Sequence, residues 1–177
     1  MAVQVDRHEA YLAKAREELG RLSEAGVLSD GNAFSSILIV KAERGRVPLS
    51  GDDGVALRAA FGALGYAPED WMALSTTDVA GNDLDPMLLR QALLTLDPGT
   101  VVICDDEAAA LVRDALSDEL ARLEDFDAAM LVPGVVTHVL GMRVLNLGGF
   151  EESLADPRAK QLMWYRLKQL RPLGEPY

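Results

Sequence analysis

Four short apolar runs, each separated from the next by a segment of helical periodicity, constrain the fold of this chain more than any other feature. Residues 37–40, 71–75, 100–104 and 143–147 read as strands. Runs this short and rich in Val, Ile and Leu suit buried strands better than helices. Parallel strands need long crossovers, and a helix supplies one. The alternation therefore predicts an α/β chain: a three-layer α/β/α sandwich with a central four-stranded parallel sheet.

The intervening segments carry start and stop signals. Residues 6–24 place Leu12, Ala15, Leu19 and Leu22 at helical spacing, with Gly26 as the stop. A helix is expected over 53–64, capped by Ser50, Asp52 or Asp53 and stopped by Gly65. Asp85-Pro86 opens another, which ends at Asp97-Pro98-Gly99. Asp105 or Asp106 caps a helix to about Leu116, a short helix covers 118–124, and a last one covers 157–170. No repeat or linker divides the chain, so 1–177 reads as one domain with 1–30 an added N-terminal helix.

Composition narrows the function classes. Apolar residues make up 49%, enough for a core. No apolar run nears the roughly 20 residues of a bilayer span, and residues 1–20 lack a signal peptide's apolar centre. Cys104 is the only cysteine, so neither an internal disulfide nor a four-cysteine zinc or iron–sulfur site can form. A reducing cytoplasm is the expected location. Seventeen basic against twenty-eight acidic residues give a net charge of −11, which opposes binding to nucleic acid.

The stretch Gly45-Arg46-Val47-Pro48-Leu49-Ser50-Gly51-Asp52-Asp53-Gly54, followed by Leu57, Leu64 and Gly65, carries a family likeness. It resembles the loop-to-helix segment of the uracil-DNA glycosylase superfamily. There, Gly-x-Pro-Phe-x-Gly-x-x-Gly opens a helix ending in Leu-x-x-x-Gly; here Leu49 replaces the aromatic. By the order of elements the resemblance runs over roughly 36–170, with 85–98, 101–111 and 145–167 following the family's sequence of helices and strands. It implies the uracil-DNA glycosylase fold and an ancestry in base flipping and glycosidic cleavage.

The residues that the resemblance requires for that chemistry are missing. The family places an acidic or amide residue after the first strand, an asparagine after the second and a His-Pro-Ser-like segment after the last. Here the first strand leads through Lys41-Ala42-Glu43-Arg44 straight into Gly45, and Glu43 is out of register with the family's catalytic position. Ser75-Thr76-Thr77-Asp78 follows the second strand, and Gly148-Gly149-Phe150-Glu151-Glu152 the last. Carboxylates in that last loop repel both a departing anionic base and DNA phosphates. No catalytic residue is assigned, and no cofactor or metal is expected.

Ligands of open α/β sheets sit beyond the C-terminal strand ends. Those ends carry Glu43, Asp52, Asp53, Asp78, Asp83, Asp105, Asp106, Glu151 and Glu152 against Lys41, Arg44 and Arg46. This acidic mouth suits a cation or basic partner better than DNA. Glu43, Ser50, Thr76, Asp78, Gly149 and Glu151 are the ligand-binding candidates. Blander readings compete: Asp52-Asp53 and Asp105-Asp106-Glu107 start helices, where carboxylates cap free N–H groups. The Gly45–Gly51 loop lacks a P-loop's Gly-Lys-Ser/Thr and reads as a turn. His8 reads as solvated, His138 as a core or edge residue, and Cys104 as a small apolar side chain. The last helix interleaves Arg158, Lys160, Arg166 and Lys168, then Arg171, with Met163, Trp164, Leu167 and Leu170; an ordinary cationic solvent face accounts for it.

The expected function is a divergent, non-catalytic protein with the uracil-DNA glycosylase fold that binds a protein partner or small molecule at the strand ends. One alternative is an enzyme with relocated carboxylate chemistry on a nucleoside-like or other small substrate, using Glu43, Asp78 or Glu151; another is an active divergent DNA glycosylase. A third is an interaction subunit that docks through the N-terminal helix or the Trp164-Tyr165 surface.

Overall fold

The computed structural model describes residues 2–173, with side chains from residue 9 onward, so the expectation for His8 lies outside the described residues. The chain runs α1 (Ala2–Glu24), β1 (Ser29–Gly31), β2 (Ile37–Lys41), α2 (Asp52–Leu64), β3 (Met72–Ser75), α3 (Pro86–Leu96), β4 (Thr100–Ile103), α4 (Asp106–Ala115), α5 (Ser117–Leu120), α6 (Phe126–Ala129), β5 (Val136–Val139), β6 (Met142–Asn146), α7 (Phe150–Ser153) and α8 (Pro157–Leu167), with a 3-10 turn at Lys168–Leu170.

Among the described residues the sheet has six strands in the order β1-β3-β2-β4-β6-β5, not the four expected. The four strands read from the sequence are its centre, and β2, β3, β4 and β6 pair in parallel. Two antiparallel edge strands, β1 against β3 and β5 against β6, make the sheet mixed. Strand β1 is Ser-Asp-Gly and fully exposed, so it exists through main-chain pairing alone and has no apolar signature. Strand β5 belongs to an apolar, β-branched run over 135–147, of which only 143–147 is expected as a strand. Leu140 and Gly141, both at positive φ (50° and 77°), fold that run into a tight hairpin.

Alternation along the strands sorts the core into two layers. Leu38, Val40, Met72, Leu74, Val101, Ile103 and Val144 face α1, α3 and α4 on one side. Ile37, Ile39, Ala73, Val102 and Leu145 face α2, α7 and α8 on the other. Helix α1 joins the first layer through Leu22 and Leu19, so its C-terminal part belongs to the domain core. The three-layer α/β/α arrangement therefore stands, built on a larger sheet.

Helix starts follow the expected chemistry at α3 and α4 but not at α2. Asp85, Asp105 and Asp156 accept hydrogen bonds from Met87, Ala108 and Arg158 at the starts of α3, α4 and α8. At α2 the N-cap is Gly51, without a side-chain bond, so neither Ser50, Asp52 nor Asp53 caps it. Asp53 turns inward instead.

Candidate functional site

Strand alternation aims Lys41 at the same face as Ile37 and Ile39, toward the start of α2. There it meets Asp53. Nζ of Lys41 donates to Asp53 Oδ2 at 2.5 Å and to Glu151 Oε2 at 2.8 Å, and lies 3.7 Å from Glu43 Oε2. Lys41, Asp53 and Glu43 are buried, whereas the Glu151 side chain is 48% exposed and closes the cluster from outside. Arg46 lies 3.8 Å from both Glu43 and Glu151. Two cations thus serve three carboxylates, leaving the cluster one negative charge in excess.

Each member also positions backbone. Glu43 Oε1 accepts from the Leu49 N–H at 3.1 Å, and the Glu43 N–H donates to Ser75 Oγ at 3.3 Å. This fixes a loop in which Arg44 and Leu49 both adopt left-handed φ (52° and 55°), unfavourable for residues with a side chain. Gly54 lets that loop lie on α2: a Cβ there would fall 2.0 Å from the Leu49 carbonyl oxygen. The glycine motif of this segment therefore has a packing cause. Asp105 bridges β2 and α4, accepting from the Ala42 N–H at 2.9 Å and the Ala108 N–H at 2.7 Å.

Burial pushes the Glu43 carboxyl above its usual range, against the pull of the Leu49 N–H and Lys41. Lys41 moves upward: burial acts to lower it, but hydrogen bonds to Asp53 and Glu151 together outweigh that. Burial likewise pushes the Cys104 thiol well up.

A cleft of about 630 Å³ opens above this cluster, between the loops that follow β2, β4 and β6. Lys41, Arg44 and Arg46 line it with Asp105, Asp106, Glu107, Glu151 and Glu152, and Cys104 and Gly149 form part of its wall. Its position follows from topology. From β2 the chain passes over one face through α2 to β3, then back over the other face through α3 to β4 on the far side of β2. That reversal splays the loops apart and makes the crevice.

The six candidates do not converge. Gly149 and Glu151 line the cleft, and Glu43 lies buried beside it. Ser50 is exposed and outside the cleft lining. Asp78 is spent on its own turn, accepting from the Ala80 and Asn82 N–H groups. Thr76 is buried, and its Oγ1 has no hydrogen-bond partner. His138 is exposed on edge strand β5. The sequence reading treated Lys41 as one rim cation; its burial and central role are new, although the parity with Ile37 and Ile39 carried the signal. Among the described residues no group of three or more His, Cys, Asp or Glu side chains is placed to hold a metal ion. No helix among them is long and apolar enough to cross a membrane. The chain matches no known protein-family model and no curated protein.

Proposed function

We propose that this chain is a non-catalytic, uracil-DNA glycosylase-like domain that uses its strand-end cleft to bind a basic group of a protein partner or small molecule in the cytoplasm. The observation that carries this reading is the charge arrangement at the cleft. Five carboxylates line it against three cations, and all three cations are already engaged, Lys41 by Asp53 and Glu151, Arg44 by Glu107, and Arg46 by Glu43 and Glu151. The uncommitted charge is negative, which draws an ammonium or guanidinium group and repels a phosphate backbone. The absence of the superfamily's asparagine and His-Pro-Ser-like segment from the loops after β3 and β6 argues against base excision.

The direct test is release of free base from uracil-containing single- and double-stranded oligonucleotides. No release above a mock preparation is expected. Robust, metal-independent release that co-purifies with the chain removes the non-catalytic reading.

One observation favours a second reading, an enzyme acting on a nucleoside-like or other small substrate. Glu43 is buried beside the cleft with its carboxyl raised, as a general acid or base would need. In that case a nucleoside-hydrolysis screen yields an activity that Glu43→Gln abolishes while the fold persists. A blank screen, or activity indifferent to that change, leaves Glu43 as the anchor of the Leu49 loop.

A further inference from the structure

Helix α8 looks in two directions. Met163 and Leu167 are buried in the core layer, while Leu162, Trp164 and Tyr165 remain 46%, 37% and 68% exposed. Beside Trp164, where α8 meets α2 and α7, lies an apolar hollow of about 230 Å³. Ala56 and Ala60, one turn apart on α2, face walls that include Phe150, Leu154, Met163 and Trp164. Among the described residues Ser153, Lys160 and the Trp164 indole N–H supply its polar groups. The Ser153 hydroxyl already donates to the Phe150 carbonyl, so Lys160 is the one charge at the opening.

The charge of α8 runs against the rest of the molecule, including Glu151 and Glu152 on neighbouring α7. No acidic residue occurs from 157 to 173, in a chain of net charge −11. Lys160, Trp164 and Lys168 fall at i, i+4 and i+8, so cations stand on both sides of the indole. The Lys168 ammonium lies 5.9 Å from the Tyr165 ring centroid. Arg166 turns inward to donate to the Leu147 carbonyl. Among the described residues Lys160 and Lys168 pair with no carboxylate.

We propose that the α2–α8 groove is a docking site for an acidic peptide segment of a partner protein, which seats one large apolar side chain in the hollow and sets flanking carboxylates against Lys160 and Lys168. An apolar anchor in a desolvated pocket supplies affinity, and the surrounding charges select the partner and its register. The acidic remainder of the surface repels the same peptide, so the positive stripe directs it to one place. A concave hollow receives a side chain from outside, whereas a bilayer is entered by protruding residues. The overall negative charge also opposes an anionic membrane. This groove lies across α7 from the strand-end cleft, and the inference does not depend on what that cleft binds.

The test uses the full chain and synthetic peptides that carry one Leu, Phe or Trp flanked by Asp and Glu, beside counterparts with Asn and Gln in place of the acids. Binding is followed by amide chemical shifts. With Leu- and Phe-anchored peptides it is also followed by emission from Trp164, the other tryptophan being Trp71, which packs beneath Arg58. At least one acidic peptide is expected to bind with Kd below about 1 mM and to move amides of α2, α7 and α8. Lys160→Glu with Lys168→Glu, both at exposed positions, is expected to weaken it by about tenfold or more while the chain stays folded with only a small drop in thermal midpoint. Ala60→Leu, which fills the hollow, is expected to weaken it as much; should that variant unfold, the lysine pair decides. The proposal is overturned if no peptide binds, if the neutral peptides bind as well, if the shifts map to the strand-end cleft, or if phosphatidylserine vesicles bind where peptides do not.

Discussion

Lys41→Met keeps most of the side chain's length and apolar stem while removing its charge, and so isolates what the ammonium contributes. In the native fold the Lys41 side chain is 7% exposed, and those of Glu43 and Asp53 are 3% each. The substitution leaves two buried carboxylates with only the more distant Arg46 for compensation. Removing one partner of a buried ion pair costs about 3–5 kcal/mol. At about 2–4 °C per kcal/mol for a domain of this size, the thermal midpoint at pH 7 should fall by roughly 6–20 °C. The loss should also depend on pH. The Glu43 carboxyl is raised in the folded chain, so the folded state holds that proton more tightly than the unfolded state. Its contribution is most favourable in acid and declines as pH rises from the ordinary value of 4.5 through the folded one. Without the ammonium this window extends to higher pH, so the variant should be less impaired at pH 5 than at pH 8. Urea unfolding of both proteins across that range measures it. A loss below about 1 kcal/mol at pH 7, or one that is the same at both ends, refutes the view that Lys41 holds a buried charge cluster together.

Other perturbations probe neighbouring claims. Glu151→Gln removes the half-exposed member of the same cluster, so denaturant unfolding should register a loss of only about 0–1 kcal/mol. Gly54→Ala would ordinarily favour a helix; here the new Cβ meets the Leu49 carbonyl, and a loss of about 1–3 kcal/mol or more is expected from thermal unfolding. Arg90 pairs with both carboxylate oxygens of Glu119 and lowers its pKa to about 2. That stability is present above the unfolded value of 4.5 and fades as pH falls toward 2, so Glu119→Gln should flatten the acid limb of the stability profile. Cys104, buried with its thiol well above the usual range, should resist iodoacetamide at pH 8 in the native state and react once urea unfolds the chain.

How much of this was legible in the sequence varied with the physical signal. The four central strands are buried on both faces, and such strands announce themselves as continuous apolar runs. Asp85-Pro86 gave a helix start because capping is local chemistry. Strand β1 gave no signal, since Ser29-Asp30-Gly31 is held by the backbone of β3 and buries no side chain. At the site, the acidic character of the mouth could be read from composition near the strand ends. Lys41's place within it depended on Asp53 and Glu151, which lie 12 and 110 residues away along the chain. Asp53 was misread as a cap because a carboxylate at a helix start has a local explanation, while its true partner lies on another element. The α8 surface was read as an ordinary cationic face, because the hollow forms only where α2 and α7 meet α8 and has no trace in α8 alone.

The account rests most heavily on the sign of the uncommitted charge at the strand-end cleft. Fluorescence anisotropy at low salt, with a labelled oligolysine peptide in one arm and a labelled uracil-containing single strand in the other, measures it directly. The account predicts that oligolysine binds, that Glu151→Lys with Glu152→Lys weakens it by about tenfold or more, and that the single strand does not bind. Tight binding of the single strand, weakened by Arg44→Glu with Arg46→Glu, together with no binding of oligolysine, contradicts it.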